Sequence, residues 1–201
     1  MGSVLMAQTK TYTIFAGVNG AGKSTFHNVL NQDFGIRINL DEIIRDQHCN
    51  AWSDIKVQML AARSAVRLIK ECLGGDKSFN QETTLTGRTI ISNISKAKAN
   101  GFKVVMYYMG LENIELSVRR VAKRVANGGH GIPEEDLRRR YSNSFDNLKQ
   151  ALVLCDIVYI YDNSKDNRRG TFAPIAIVKD SKIELLDKSC PQYILNVLEK
   201  F

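Results

Sequence analysis

Apolar residues follow two alternating rhythms along this chain. Short dense runs rich in β-branched and aromatic residues alternate with longer stretches where apolar positions recur every three or four residues. Residues 11–16, Thr-Tyr-Thr-Ile-Phe-Ala, predict a first strand, and residues 23–31 the helix after it. Residues 36–39 predict a short second strand. A long helix then carries Ile55, Met59, Ala62, Val66, Ile69 and Leu73 on one face. Residues 78–82 predict a third strand, and residues 88–100 a helix stopped by Gly101. Residues 102–108 are apolar enough for a strand buried on both faces, and residues 157–161 form another of that kind. Residues 172–178 and 182–186 flank Asp180-Ser181 as a hairpin before a last helix. Such alternation specifies an α/β fold: a central, mostly parallel sheet with helices on both faces, extended by a C-terminal β-hairpin and helix.

Composition narrows the class. The chain has 201 residues, 44% hydrophobic and 24% charged, which suits one domain with one sizeable core. Residues 1–8 read as a flexible N-terminus. No apolar run approaches the length of a membrane span, and no secretory signal opens the chain, so a cytoplasmic location is expected. Cys49, Cys72, Cys155 and Cys190 are widely spaced without CxxC pairs, and His27, His48 and His130 add no ligand spacing, which argues against structural zinc. Basic residues outnumber acidic ones 28 to 21. Much of the excess lies between Arg119 and Arg140 rather than in a tail or an aromatic-interleaved patch. That distribution suits phosphorylated small molecules better than nucleic acid.

Between the first strand and its helix stands Gly17-Val18-Asn19-Gly20-Ala21-Gly22-Lys23-Ser24, followed by Thr25. It fits GxxxxGK[ST] at every position. The glycines let the backbone curl around phosphate, and the helix beginning at Lys23 adds its positive dipole end. Lys23 then reaches the β- and γ-phosphates of a nucleotide, and the Ser24 hydroxyl ligates Mg²⁺. The loop alone does not name the reaction. No NKxD-type guanine motif follows a late strand, and Asn39-Leu40-Asp41-Glu42 is too weakly apolar for the Asp-Glu strand end of a motor ATPase. A small kinase remains, with ATP as donor, and it needs a base for the acceptor hydroxyl and cations for the transferring phosphoryl.

Asp41 is expected at the end of the second strand, and Glu82, Thr83 and Thr84 at the end of the third, on the sheet edge where open α/β proteins bind ligands. Taken alone, Asp41 reads either as that base or as a helix N-cap before Glu42-Ile43-Ile44. The loop, "INLDEI", "FNQETTLTGRT", "LSVRRVAKRVANGGHGIPEEDLRRRYSNSFDNL" and "YDNS" resemble, in order and spacing, the zeta-toxin family of P-loop kinases in its short stand-alone form. The resemblance implies ATP-dependent phosphorylation of UDP-N-acetylglucosamine at the 3′-hydroxyl of its amino sugar, with Asp41 as general base. It implies that Glu82, Thr83 and Thr84 bind the sugar or the Mg²⁺ shell, that residues 127–133 lie in a lid, and that a neutralising antitoxin would be a separate chain. Another small-molecule acceptor, a 5′-hydroxyl nucleic acid end, or a nucleotide-binding regulator with decayed catalysis are the alternatives.

Helical geometry sorts the arginines. Ile114, Val118, Val121 and Val125 form one stripe, flanked by Arg120 and Arg124, with Arg119 and Lys123 turned to solvent. In the next helix, Leu137, Tyr141, Phe145, Leu148 and Leu152 form the stripe. Arg140, Ser144 and Asn147 form a polar ridge beside it, with Arg139 outward. Arg124 and Arg140 are therefore the expected phosphate clamps, with Arg120 next. His130 either touches a phosphate or caps the loop. Asn163 either meets the adenine edge or sits in a turn. Asp54 and Arg63 are further candidates for the acceptor side.

Overall fold

A computed structural model describes residues 9–47, 52, 54–165, 173–199 and 201. In chain order the elements are β1 (Thr11–Ala16), α1 (Lys23–Leu30), β2 (Ile36–Ile38), α2 (Leu40–Gln47), α3 (Ile55–Gly74), β3 (Phe79–Thr83) and α4 (Arg88–Ala99). They continue with β4 (Lys103–Gly110), α5 (Ile114–Ala126), α6 (Glu134–Leu154), β5 (Ile157–Asp162), β6 (Ala176–Lys179), β7 (Lys182–Leu186) and α7 (Gln192–Leu198). The expected α/β architecture with its C-terminal hairpin and helix is present. The predicted flexible N-terminus, His48, Cys49 and the predicted strand start at Phe172 lie outside the described residues.

The strands form one sheet in the order β2-β3-β1-β4-β5-β6-β7. The first five run parallel, and β6 and β7 run antiparallel. The chain leaves β1 toward β2 and β3 on one side and returns to β4 and β5 on the other. The crevice therefore opens at the carboxyl end of β1, where open α/β sheets receive ligands. Register sets the rim: Ala16 pairs with Thr83 on one side and with Tyr108 on the other.

The period-two alternation of β1 explains why both faces are covered. Tyr12, Ile14 and Ala16 enter the larger core, built with Ile69, Ile94, Val104, Met106, Leu148 and Ile194. Phe15, between them, joins Val18, Phe26, Met109 and Tyr161 on the opposite face. Phe26 pins α1 to that face beside Tyr161, with ring centroids 4.6 Å apart. Burial of such a ring is worth about 1.5–3 kcal/mol, which holds the helix that carries Lys23.

Three expectations need correction. The stripe expected to bury α3 does not: Ile55, Met59 and Val66 are 71%, 52% and 57% exposed, and only Ile69 and Leu73 of that set are buried. The helix is apolar on two arcs, and the arc through Ala61, Ile69 and Cys72 meets the body. Asp41, expected at the end of the second strand or as an N-cap, lies inside α2, whose Ile43 and Ile44 pack on Ala61. Ser144, expected on an open polar ridge, is fully buried with its hydroxyl 3.1 Å from that of Tyr108. Alternation in β4 turns Tyr108 inward, and only a small polar residue opposite satisfies its hydroxyl there.

Candidate functional site

The loop after β1 is held in shape from outside. Asn19 O accepts from Ser117 Oγ (2.7 Å), Gly20 O from Arg120 Nη1 (3.3 Å), and Ala21 O from Asn163 Nδ2 (2.9 Å). Arg120 also donates to Asn163 O (2.8 Å), so α5 and the end of β5 clasp the loop together. Gly17 sits at φ 138°, and a Cβ there would lie 2.3 Å from the Met109 carbonyl oxygen. At Gly22, φ is 94° and a Cβ would lie 2.7 Å from Asn163 Nδ2. Both positions require glycine.

Lys23 opens α1 and folds back over the loop, its Nζ donating to Val18 O at 3.1 Å. Only 8% of the residue is exposed. Burial pushes its ammonium below the ordinary range, Glu82 and Asp41 pull it back up, and Arg124 and Arg140 lower it further. A buried cation under those pressures is suited to receive an anion. Thr25 follows on α1 and is exposed.

Glu82, near the end of β3, faces Ser24. Ser24 Oγ lies 2.9 and 3.1 Å from the two carboxylate oxygens. Arg37 Nη2 (2.9 Å) and Asn39 Nδ2 (3.0 Å) both donate to Glu82 Oε2. Arg37 also grips Glu42, at 2.9 Å from Nη2 and 3.1 Å from Nε. Ser24 and Glu82 offer a hydroxyl and a carboxylate, the oxygen set Mg²⁺ takes when nucleotide phosphates and waters complete its octahedron. Among the described residues no group of three or more His, Cys, Asp and Glu side chains could hold a metal ion by itself. A Mg²⁺ shared with a nucleotide is the type of site these residues fit.

Asp41 stands in the first turn of α2 rather than in β2, and Asn39 Oδ1 caps its amide at 3.0 Å. The Asp41 carboxylate is thus spared from capping and is 48% exposed on the rim. His130 reaches it from the loop between α5 and α6, Nε2 to Oδ1 at 3.6 Å. Arg124 holds that histidine, Nε to His130 O at 3.1 Å and Nη2 to ring Nε2 at 3.3 Å. Donation to Nε2 fits a neutral imidazole. Burial lowers its pKa, Asp41 opposes that, and Arg124 and Arg140 reinforce it. Arg140 Nη1 reaches Asn19 Oδ1 at 3.3 Å.

The structure therefore brings Lys23, Ser24, Asp41, Glu82, Arg124 and Arg140 around one crevice, while Arg119, Lys123 and Arg139 are exposed as the helical geometry predicts. Other candidates have local partners. Thr83 Oγ1 accepts from Leu85 N (3.1 Å), and Thr84 Oγ1 lies 2.9 Å from Thr86 Oγ1. Asp54 caps α3 through Lys56 N (2.7 Å), and Arg63 lines an open groove with Val66 and Lys70. Asn163 braces the phosphate loop with its amide group. Three contributors are assigned no role by the sequence: Arg37, Asn39, although it lies within "INLDEI", and Trp52, whose indole stacks on the His130 ring with centroids 4.8 Å apart. An isolated tryptophan in a polar stretch before a helix was the available hint for the last.

Known proteins resemble this chain in sequence and in fold. An uncharacterized protein of Haemophilus influenzae is 34% identical over 127 residues, covering 63% of this chain and 89% of that protein. Among solved structures, AvrRxo1-ORF1:-ORF2 with ATP superposes with TM-score 0.67 at 14% identity, over 94% of this chain and 63% of that one. The PezAT chromosomal toxin-antitoxin system of Streptococcus pneumoniae gives 0.58 at 18% identity, over 96% and 84%. A chain of the Pnkp1/Rnl/Hen1 RNA repair complex gives 0.58 at 16%, over 75% of this chain and about half, 49%, of its own length. At these identities the structures establish the fold. Among the described residues no helix is long and apolar enough to cross a membrane. A family model described as Zeta toxin matches residues 4–170, from ahead of β1 to beyond β5, so the phosphate loop and the carboxylates and arginines around it all fall within the match, and the chain belongs to the zeta toxin family.

Proposed function

We propose that this protein is an ATP-dependent kinase of a UDP-activated amino sugar, transferring phosphate to the 3′-hydroxyl of UDP-N-acetylglucosamine. The observation that carries the reading is the Asp41 carboxylate, half-exposed on the rim and close enough to the phosphate-loop Lys23 to raise its pKa. The γ-phosphate of ATP lies against Lys23, with Arg124 and Arg140 available to its oxygens. The acceptor oxygen forms a bond to the γ-phosphorus as the bond to the β-bridging oxygen breaks, ADP leaves, and Asp41 takes the acceptor's proton. Such transfer is loose, so an ordinary carboxylate suffices as base, and positioning and charge neutralisation carry most of the rate. Mg²⁺, when bound, neutralises charge developing on the phosphates; Ser24 and Glu82 are the residues that would hold it, with Arg37 and Asn39 orienting Glu82.

In the same proposal the chain is one cytoplasmic domain, residues 127–133 form the lid over the phosphates, and Arg120 and Asn163 support the nucleotide side through the loop. Thr83 and Thr84 border the acceptor side. A separate antitoxin chain is a further part of it, supported by the likeness to a toxin-antitoxin system. A 5′-hydroxyl nucleic acid end is the second acceptor to test, favoured by the net charge of +7.

The test is incubation with ATP, Mg²⁺, UDP-sugars, free sugars and 5′-hydroxyl oligonucleotides, followed by mass spectrometry for a gain of one phosphate. UDP-N-acetylglucosamine is expected to gain it; gain on the oligonucleotide alone overturns the reading. Asp41→Asn is expected to lower transfer by at least about 10²-fold while sparing ATP binding. Near-normal transfer by that variant removes Asp41 as base.

A further inference from the structure

We infer that the Trp52 indole is the platform on which the acceptor's sugar ring lies, and that His130 occupies that platform until the acceptor arrives. The inference rests on the sugar-nucleotide reading above and adds to it the residue that recognises the ring.

Trp52 belongs to the α2–α3 side of the crevice. Its indole packs beside Ile43, Ile44 and Ala61, and its carbonyl accepts from Gln58 Nε2 at 2.6 Å. His130 comes from the opposite wall, between α5 and α6. The two rings meet nearly parallel, at 20° with centroids 4.8 Å apart. The same imidazole lies 3.6 Å from the Asp41 carboxylate. A flat, neutral ring thus already rests on the indole with its edge at the base.

A hydroxyl that gives its proton to Asp41 must come within about 2.6–3.2 Å of that carboxylate. His130 stands in that approach, so acceptor and imidazole exclude each other. Once His130 leaves, the indole face beside Asp41 is open, and the ring bearing the reactive hydroxyl is the part of the acceptor near enough to cover it. A pyranose suits the place: one face is mostly C–H, matching the apolar indole, and its hydroxyls project from the rim toward Asp41. The uracil, a diphosphate away from that hydroxyl, does not reach the platform. The exchange has a second effect. Arg124 spends Nε and Nη2 on His130, and departure of the ring releases that guanidinium toward the phosphates. Arrival of the acceptor and release of the clamp are one event.

Trp52 is the chain's single tryptophan, so intrinsic fluorescence reports on the platform directly. Saturating UDP-N-acetylglucosamine is expected to change the emission of the wild type, and to do so at lower concentration in His130→Ala. Trp52→Ala is expected to raise the KM for the sugar nucleotide about tenfold while the KM for MgATP stays within about twofold, and Trp52→Phe to recover most of the loss. Melting temperatures of the variants, with and without MgATP, separate these effects from misfolding. An emission unchanged by sugar nucleotide, or an acceptor KM in folded Trp52→Ala within about twofold of wild type, overturns the platform while phosphate gain on UDP-N-acetylglucosamine leaves the kinase reading standing. If the wild type phosphorylates the 5′-hydroxyl oligonucleotide instead, or neither probe, the sugar-nucleotide kinase reading fails and the sugar platform fails with it.

Discussion

Replacing Glu82 with glutamine tests the carboxylate that joins the phosphate loop to β2 and β3. Ser24 lies within hydrogen-bond reach of both Glu82 oxygens, whereas Arg37 and Asn39 both donate to Oε2. A glutamine keeps one acceptor oxygen, which must face Arg37 and Asn39, because neither group can accept there. Its NH₂ then meets Ser24, whose oxygen turns to receive it. Arg37 is not stranded, since Glu42 still holds it at 2.9 Å. The stability loss therefore falls below the roughly 3–5 kcal/mol of a broken isolated buried pair, at about 1–2 kcal/mol. For a chain of this size that lowers Tm by about 2–8 °C. Function is expected to suffer more: the Ser24 lone pair is diverted and a charge at the proposed metal position is lost. Loss of that charge also removes an influence that raises the pKa of Lys23. Transfer is expected to fall about 10²–10³-fold, with the half-saturating Mg²⁺ concentration raised. Urea unfolding gives the first number and initial rates over a Mg²⁺ series give the second. Wild-type transfer with unchanged Mg²⁺ dependence refutes the assignment of Glu82 to the metal side.

Two further outcomes follow from the same geometry. Gly17→Ala places a Cβ 2.3 Å from the Met109 carbonyl at a φ of 138°, so a loss of at least about 3 kcal/mol and of nucleotide binding is expected; calorimetry showing an unshifted melting temperature contradicts it. His130 is expected to titrate below its ordinary 6.5 because burial disfavours the imidazolium, and to titrate lower still in Asp41→Asn, which removes the group that raises it. In the window between the lowered value and 6.5 the unfolded chain binds the extra proton, so this contribution to stability is complete above 6.5 and is lost as pH falls through the folded pKa. Proton NMR of the His130 ring measures the midpoint, and one above 6.5 contradicts the burial argument.

Much of the fold was legible because its signals are local. The phosphate loop, its strand and its helix form one continuous motif, and 100° per residue placed Arg120, Arg124 and Arg140 on the crevice side of their helices. The α3 stripe failed because periodicity reports that an arc is apolar, not that another element covers it. The residues that complete the site were hidden for a different reason. Arg37 meets Glu82 only because β3 inserts between β2 and β1, and Trp52 meets His130 only because two distant connections end on the same rim. No spacing along the chain encodes such meetings.

The bonds that Ser117, Arg120 and Asn163 make to the loop carbonyls have an energetic consequence for ligand selection. Carbonyl oxygens are the groups that would repel phosphate, and three successive ones are tied to the scaffold before any nucleotide arrives. Binding then need not spend its enthalpy on reorganising the backbone, and little ordering entropy remains to be lost. The socket should therefore accept ADP nearly as readily as ATP, which leaves discrimination between them to groups that reach the outermost phosphate. In the proposed site those groups are Lys23, Arg124 and Arg140, and Arg124 is the one tethered to His130. Under the proposed mechanism, a rigid socket with one tethered clamp makes nucleotide occupancy insensitive to the acceptor, and makes commitment to transfer depend on it.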